Sequence, residues 1–145
     1  MIVQFFEIPL PVSANRMWRH GRGRTYLSTE YRAFIRALGW HCQMQGVVPQ
    51  PSPLRFTLII RGGKGWRVNA DIDNRIKPTL DALARNRIIL DDSTKNVPQQ
   101  ELVYVTRPSR GAVVRCFVRL AGIDPAWSGW VPPPSPPQGE EDHDH

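Results

Sequence analysis

The chain has 145 residues and carries 19 Lys and Arg against 13 Asp and Glu, a net charge of +6. This length fits one domain with a real core, and no apolar run approaches the 18 residues that a membrane span needs. Four of the acids lie in the last six residues, so residues 1–124 hold 19 basic and 9 acidic groups, a net charge of +10. That excess predicts a polyanionic partner, with nucleic acid as the first candidate.

The two cysteines, Cys42 and Cys116, match no zinc site, because the sequence has no Cys-x-x-Cys and no histidine at ligand spacing from both. They are predicted to be reduced thiols. The first residues are interrupted by Glu7 and two prolines, which is unlike a signal peptide. The expectation is a soluble, cytoplasmic protein.

A strand is predicted from Ile2 to Ile8, where prolines end it. Residues 15–24, called the basic segment below, follow as a predicted loop. Its irregular arginine spacing and its glycines favour contacts with DNA phosphates, with Trp18 available to stack on bases. A solvated loop that Trp18 anchors to the core is the alternative. The candidate DNA-binding residues here are Asn15, Arg16, Arg19, His20, Arg22 and Arg24.

A helix is predicted to begin at Ser28, as its N-cap, and to run to about Gln45. Its core stripe consists of Tyr31, Phe34, Ile35, Leu38 and Cys42. A strand over Leu54–Arg61 follows, and then a basic loop whose Arg67 is a further DNA-binding candidate. No phosphate-loop motif is present, so nucleotide hydrolysis is not indicated.

Two aspartates, Asp71 and Asp73, are separated by one residue, which places both carboxylates on one side of an extended backbone. Such oxygen ligands suit Mg²⁺, and Lys77 adds a positive charge nearby. Capping of the next helix is the alternative role for these acids. That helix either begins near Lys77 or bends there, because Pro78 is tolerated only in a first turn.

An apolar run at residues 88–90 leads into Asp91 and Asp92, which brings more carboxylates to the rim of the core. Strands are predicted at residues 102–107 and 113–120, joined by a hairpin turn at residues 108–111. Beyond Gly122 the chain becomes proline-rich and then acidic. The sequence therefore predicts a domain over residues 1–122 and a disordered tail over residues 123–145.

Two blocks together resemble the RusA family of Holliday junction resolvases, small phage- and prophage-associated endonucleases that cut four-way DNA junctions. The first block is the basic segment, extended to Thr25. The second is Asp71-Ile72-Asp73-Asn74 with Lys77, Asp81-Ala82-Leu83 and Leu90-Asp91-Asp92. Order and spacing also match over about residues 3–120. One departure is Arg67-Val68-Asn69-Ala70, where some relatives have a run of arginines.

The resemblance implies an α/β fold, a small mixed sheet with two main helices, in a homodimer. It also implies that Asp71, Asp73 and Asp92 bind Mg²⁺ and that Lys77 is the essential lysine. Asp91 is held in reserve, because a shift of one residue would exchange the pair. Two symmetric nicks in a junction need two active sites, which a dimer supplies.

The expected function is Mg²⁺-dependent resolution of Holliday junctions in DNA recombination and repair, in a bacterial or phage-infected cell. No nucleotide cofactor and no membrane partner are expected. A generic nuclease for branched DNA, or a DNA-binding module without catalysis, is the alternative. The binding module would keep the basic segment and would not need the acids. An interaction protein that works through its tail is a third interpretation.

Overall fold

A computed structural model of the chain describes residues 2–63, 73–105 and 113–124. In this part of the chain the strands are β1 (Val3–Ile8), β2 (Trp18–Gly21), β3 (Arg24–Leu27), β4 (Leu54–Arg61), β5 (Gln99–Val105) and β6 (Arg115–Gly122). The helices are α1 (Thr29–Met44) and α2 (Ile76–Arg85), and short 3₁₀ helices lie at Ala14–Arg16 and Asp73–Arg75. The predicted class, a small mixed sheet with two main helices, is confirmed.

Four strands form the main sheet in the order β1-β6-β4-β5, with β4 and β5 parallel and the other neighbours antiparallel. Alternate side chains of the central strand β4 fill the core: Leu54, Phe56, Leu58 and Ile60 are fully buried. Parallel strands need a crossover, and α2 supplies it between β4 and β5. The unit β4-α2-β5 therefore fixes where α2 begins and ends relative to the sheet.

The predicted hairpin between the last two strands is wrong. In the sheet β4 lies between β5 and β6, so these two strands are not neighbours. The crossover through α2 places β5 on the outer side of β4, whereas β6 pairs with β1 and β4. Turn-forming residues at 108–111 suggested a hairpin, but they lie outside the described residues, and local turn chemistry does not decide which strands pair.

The first strand is held to the last by side chains on the sheet face opposite the core. The rings of Phe5 and Phe117 stack with centroids 5.3 Å apart. Arg115 donates two hydrogen bonds to the Glu7 carboxylate, at 2.9 and 2.6 Å. The pKa of the Glu7 carboxyl lies below its ordinary value because of these hydrogen bonds and the guanidinium charge. Together the contacts reinforce the β1–β6 pairing.

The basic segment was predicted to be a loop, and this is wrong. It forms a 3₁₀ turn followed by a two-stranded antiparallel ribbon of β2 and β3. The ribbon turns at Arg22 and Gly23, whose φ angles of 52° and 75° are those that a tight two-residue hairpin requires. Trp18, which the alternative interpretation used to anchor the segment to the core, is 41% exposed. Its neighbour Met17 is the residue buried in the core. Irregular arginine spacing concealed the strands, because it masks the alternation that marks a ribbon.

Helix α1 begins as predicted. The Ser28 hydroxyl accepts a hydrogen bond from the Tyr31 amide at 3.1 Å and donates one to the Arg16 carbonyl at 2.6 Å. It thereby caps the helix and ties it to the base of the ribbon. The predicted stripe packs inward: Tyr31, Phe34, Leu38 and Cys42 are buried and Ile35 is partly buried.

Helix α2 begins at Ile76, directly after the 3₁₀ turn, so Pro78 lies in the first turn. This is the first of the two predicted arrangements, and it places Lys77 at the start of the helix. Both cysteines are free and buried, and burial raises the pKa of the Cys42 and Cys116 thiols to about 11 and about 12. The predicted tail lies almost wholly outside the described residues. Within them, no helix is both long and apolar enough to cross a membrane.

Candidate active site and nucleic-acid interface

The two blocks singled out in the sequence meet at one end of the sheet. The 3₁₀ turn Ala14–Arg16, which holds Asn15 and Arg16, packs against the 3₁₀ turn Asp73–Arg75. The Arg75 guanidinium donates a hydrogen bond to the Pro11 carbonyl and fixes this contact. The structure thus places the start of the basic segment beside the backbone of Asp73.

Lys77 lies at the same end of the sheet as Asp73, exposed in the first turn of α2. The first turn of a helix carries a partial positive charge, which adds to that of the lysine. Such an end attracts anions, including phosphates. The predicted Asp71 and Arg67, and the side chain of Asp73, lie outside the described residues.

The two carboxylates of the acidic pair after α2 differ in their hydrogen bonding within the described part of the chain. Asp91 Oδ1 accepts hydrogen bonds from the Ser93 amide and from Asn96 Nδ2, both at 2.8 Å. Hydrogen bonds from Ser93 and Asn96 hold the pKa of the Asp91 carboxyl below its ordinary value. Asp92 is half-buried and makes no hydrogen bond or ion pair with another described residue. Asp91 is therefore engaged in its own loop, whereas Asp92 is not engaged by any other described residue.

The structure does not bring Asp92 to Asp73 and Lys77 within one chain. The Asn96 carbonyl accepts a hydrogen bond from the Leu54 amide at 2.9 Å, which places the loop of Asp91 and Asp92 at the start of β4. Strand β1 ends at Ile8, which aligns through β6 with Ile60 near the end of β4. Beyond β1 lies Pro11, to which Arg75 binds, so the 3₁₀ turn Asp73–Arg75 lies near the end of β4.

An eight-residue strand such as β4 spans about 23 Å from its first to its last residue. Asp92 and Lys77 therefore lie toward opposite ends of the sheet. No group of three His, Cys, Asp or Glu side chains that could hold a metal ion is found among the described residues, which include neither Asp71 nor the side chain of Asp73.

The basic segment exposes its cationic side chains to solvent. Arg16 and Arg19 lie 3.8 and 3.3 Å from the Glu30 carboxylate, in exposed pairs that contribute little stability. His20 Nδ1 and Thr25 Oγ1 are 2.9 Å apart across the two strands. Arg22 and Arg24 are exposed at the tip and have no ion-pair partner in the described part of the chain. All six predicted DNA-binding residues of the segment are exposed: Asn15, Arg16, Arg19, His20, Arg22 and Arg24.

Comparison with known proteins identifies the family of this arrangement. The family model described as "Endodeoxyribonuclease RusA" matches residues 9–98, a range that contains both blocks. The chain belongs to the RusA family. The protein named "Crossover junction endodeoxyribonuclease RusA" from Escherichia coli (strain K12) is 32% identical over 89 residues, which are 59% of this chain and 71% of that protein. The similarly named protein of Enterobacteria phage 82 gives the same identity and the same shares.

Asp81, another acid of the second block, is hydrogen-bonded to residues of both helices. The buried Tyr31 hydroxyl donates a hydrogen bond to its carboxylate and lies 3.1 Å from the Pro78 carbonyl. Arg85 Nε donates to the same carboxylate at 2.7 Å. Burial, followed by the nearby Asp81 carboxylate, raises the pKa of Tyr31, so the phenol stays protonated.

This network fastens α1 to the first turn of α2, where Lys77 lies. The spacing of Asp81 and Arg85, four residues apart, was a usable signal for an ion pair within the helix. Nothing in the sequence indicated Tyr31 as their partner, since it lies in another helix. The sequence also did not reveal Ser93 and Asn96 as the residues that engage Asp91, although Asp-x-Ser is a familiar turn sequence.

Proposed function

We propose that this RusA-family chain is a Mg²⁺-dependent endodeoxyribonuclease that resolves Holliday junctions by paired symmetric nicks. The observation that carries the proposal is the packing of the basic segment's first turn beside Asp73 and Lys77. A phosphate bound by the arginines would lie close to the acids and the lysine. The relatives, named as crossover junction endodeoxyribonucleases, support this activity. The activity belongs in the cytoplasm of a bacterial or phage-infected cell, where such DNA is found.

We assign Asp71, Asp73 and Asp92 as the metal ligands. Hard oxygen donors are what Mg²⁺ prefers. The Asp92 carboxylate, which has no hydrogen-bond partner among the described residues, fits that role better than the hydrogen-bonded carboxylate of Asp91. When bound, such an ion supplies charge neutralisation and an activated water for phosphodiester hydrolysis. Lys77, together with the start of α2, holds positive charge where negative charge develops on the phosphate.

The separation of Asp92 from Lys77 supports a homodimer in which each site draws on both chains. One ion cannot contact acids toward opposite ends of a sheet, so Asp92 of the partner subunit would complete the site around Asp73. Leu90 supports this arrangement, because it is 72% exposed two residues before Asp92 and offers an apolar contact for a second copy. Two copies would then supply the two sites that paired nicks need.

The proposed contacts to DNA phosphates come from the basic segment and from Arg67, which lies outside the described residues. In the basic segment they are Asn15, Arg16, Arg19, His20, Arg22 and Arg24. We place the whole nuclease domain in residues 1–122 and assign no part in cleavage to the tail at residues 123–145. The cationic ribbon would bind DNA before metal is present, whereas cutting would need the acids as well.

The test is cleavage of a synthetic four-way junction with and without Mg²⁺, with a linear duplex of the same sequence as control. We expect paired nicks on the junction only, dependent on metal and absent from Asp73→Asn. Tight junction binding with no cutting under any divalent metal would instead identify a DNA-binding module. Equal cutting of junction and duplex would identify a generic nuclease.

A further inference from the structure

The two faces of the β2–β3 ribbon differ in what they contact. Side chains that are paired across an antiparallel ribbon share one face. Trp18 is paired with Leu27, whose side chain packs against the core. Arg19 is paired with Tyr26, and Gly21 with Arg24, and these four positions make up the opposite face. The second face, called the Tyr26 face below, is the one directed away from Leu27 and the core.

The ring of Tyr26 lies across the backbone of Gly21. A Cβ at Gly21 would stand 3.5 Å from the Tyr26 hydroxyl and 3.7 Å from a ring carbon, so the ring covers the position that the glycine leaves empty. Tyr26 is nevertheless 44% exposed. The ribbon therefore supports one side of the Tyr26 ring. Arg19 and Arg24 are its neighbours on the same face of the ribbon.

The base of the ribbon is firmly held. Met17 is buried in the core, and its carbonyl accepts a hydrogen bond from the Ser28 amide at 2.9 Å. Ser28 also caps α1, and Glu30 in the first turn of that helix holds Arg19 at 3.3 Å. The Tyr26 face is thus oriented by a helix that also contacts the start of α2 through Tyr31.

The tip of the ribbon keeps an arginine in an unfavourable conformation. At φ 52° a residue with a side chain is strained, and asparagine or glycine fits this turn position best. Strain of this kind is found where a side chain is needed for a contact. Arg22 and Arg24 would then hold a DNA backbone close to the Tyr26 ring.

We propose that the Tyr26 face is a stacking platform for an unpaired nucleobase at the branch point of the DNA. The inference deepens the proposed function and rests on it, because a linear duplex offers no unstacked base whereas a four-way junction can expose bases at its centre. Aromatic rings accept any base, so the platform would recognise the branched shape and not a sequence. The guanidinium groups would meanwhile hold the adjacent phosphates.

The experiment measures metal-free binding to a four-way junction that carries 2-aminopurine beside the branch point, and to a matched linear duplex. Stacking on Tyr26 should change the 2-aminopurine fluorescence when the parent protein binds. Loss of a stacked ring should weaken junction binding about tenfold and leave duplex binding within about twofold. Tyr26→Phe should behave as the parent, because it keeps the ring.

Tyr26→Leu is the decisive variant, because it keeps an apolar side chain over Gly21 but removes the aromatic surface. Trp40→Ala is the matched control, since Trp40 is an exposed aromatic residue on α1 and has no proposed role. We expect Tyr26→Leu to lose both the fluorescence change and the preference for the junction, with an unchanged circular dichroism spectrum. Equal losses on junction and duplex, or a fluorescence change retained in Tyr26→Leu, would overturn the proposal.

The proposed function and the stacking platform can fail separately. If the parent protein neither prefers nor cuts the junction, then the proposed function fails and the platform fails with it. If the parent cuts the junction with Mg²⁺ but Tyr26→Leu keeps its preference and its fluorescence change, then only the platform is wrong.

Discussion

At the scale of single residues, the pair Asp91 and Asp92 shows how hydrogen bonding assigns different tasks to neighbouring side chains of one type. Asp91 closes a loop by accepting hydrogen bonds from Ser93 and Asn96, whereas Asp92 accepts none from any other residue that the structure describes. The family resemblance predicted Asp92 as the metal ligand and held Asp91 in reserve. The sequence could not show which of the two carboxylates is hydrogen-bonded in the loop, because that depends on where the amides of the loop point.

We predict that Asp92→Asn lowers the rate of Mg²⁺-dependent junction nicking about 100-fold or more, since even residues that only support metal ligands cost 10- to 100-fold. Its free energy of unfolding should change by less than about 0.5 kcal/mol. Asp91→Asn keeps an acceptor oxygen and should nick within about threefold of the parent, with a loss of about 1 kcal/mol in stability. Nicking rates at saturating Mg²⁺ and urea unfolding check both. The reverse order of activities would make Asp91 the ligand.

The strained arginine at the ribbon turn gives a second prediction. Arg22→Asn should raise the free energy of unfolding by up to about 1 kcal/mol, because asparagine tolerates a positive φ and arginine does not. It should also reduce the slope of log K for junction binding against log salt concentration by about the amount that one phosphate contact contributes. Urea unfolding and binding titrations at several salt concentrations measure the two effects.

The matched control is Arg24→Asn, which removes a cation from β3 at a position where φ is not positive. It should lose a similar part of the salt dependence and gain no stability. If Arg22→Asn leaves the free energy of unfolding unchanged, then the arginine is not strained at this turn in solution.

At the scale of secondary-structure elements, a close approach between α1 and α2 depends on Gly39. The Asn86 side chain at the end of α2 donates hydrogen bonds to the Ile35 carbonyl of α1 at 3.0 Å and to the Ala82 carbonyl at 2.9 Å. A Cβ at Gly39 would collide with the Asn86 amide oxygen. The glycine therefore makes room for a polar contact that joins the helices.

We predict that Gly39→Ala destabilises the protein by about 1–2 kcal/mol, because displacing Asn86 breaks its hydrogen bonds, although alanine is the better helix former. In an Asn86→Ala background the same change should stabilise by about 0.5–1 kcal/mol, since only the helix propensity remains. A double-mutant cycle by urea unfolding tests this change of sign. Additive effects would mean that the two residues do not interact.

The sequence predicted elements whose pattern is local and missed those fixed by distant partners. The extent of α1 followed from the Ser28 cap and from apolar residues at helical spacing. The ribbon was missed because arginines hid its alternation, and the pairing of β5 was missed because it depends on the α2 crossover. For the proposed site, residue types and spacing pointed to Asp71, Asp73 and Lys77, and the family resemblance added Asp92. That Asp92 lies toward the other end of the sheet from Lys77 follows only from the topology of the sheet.

At the scale of the whole molecule, the proposed active sites, each built from residues of both chains of a homodimer, predict that two inactive variants can complement each other. Sites confined to one chain do not predict this. Asp73→Asn and Asp92→Asn should each be inactive as homodimers. In a mixed dimer one site combines the intact Asp73 of one chain with the intact Asp92 of the other, so we expect part of the nicking activity to return. The second site of that dimer carries both substitutions and stays inactive.

Nicking of a junction by the two variants, alone and after co-refolding, measures the recovery. A control mixture of Asp73→Asn with Lys77→Ala should recover nothing, because Asp73 in the 3₁₀ turn and Lys77 in the first turn of α2 belong to the same half of the proposed site. Absence of recovery in the first mixture, with mixed dimers shown to form, would confine each site to one chain.

The pairing of β1 with β6 also has a consequence for the order of events during synthesis. Val3 aligns with Ala121, so the first strand finds its partner only after nearly all of the described chain has been made. Contacts this distant in sequence slow folding, because a long loop must close before they form. Until then β1 is an unpaired edge, and β4 lacks its neighbour β6. A nascent chain therefore cannot complete its sheet or act on DNA, and nuclease activity begins only after the last strand has left the ribosome.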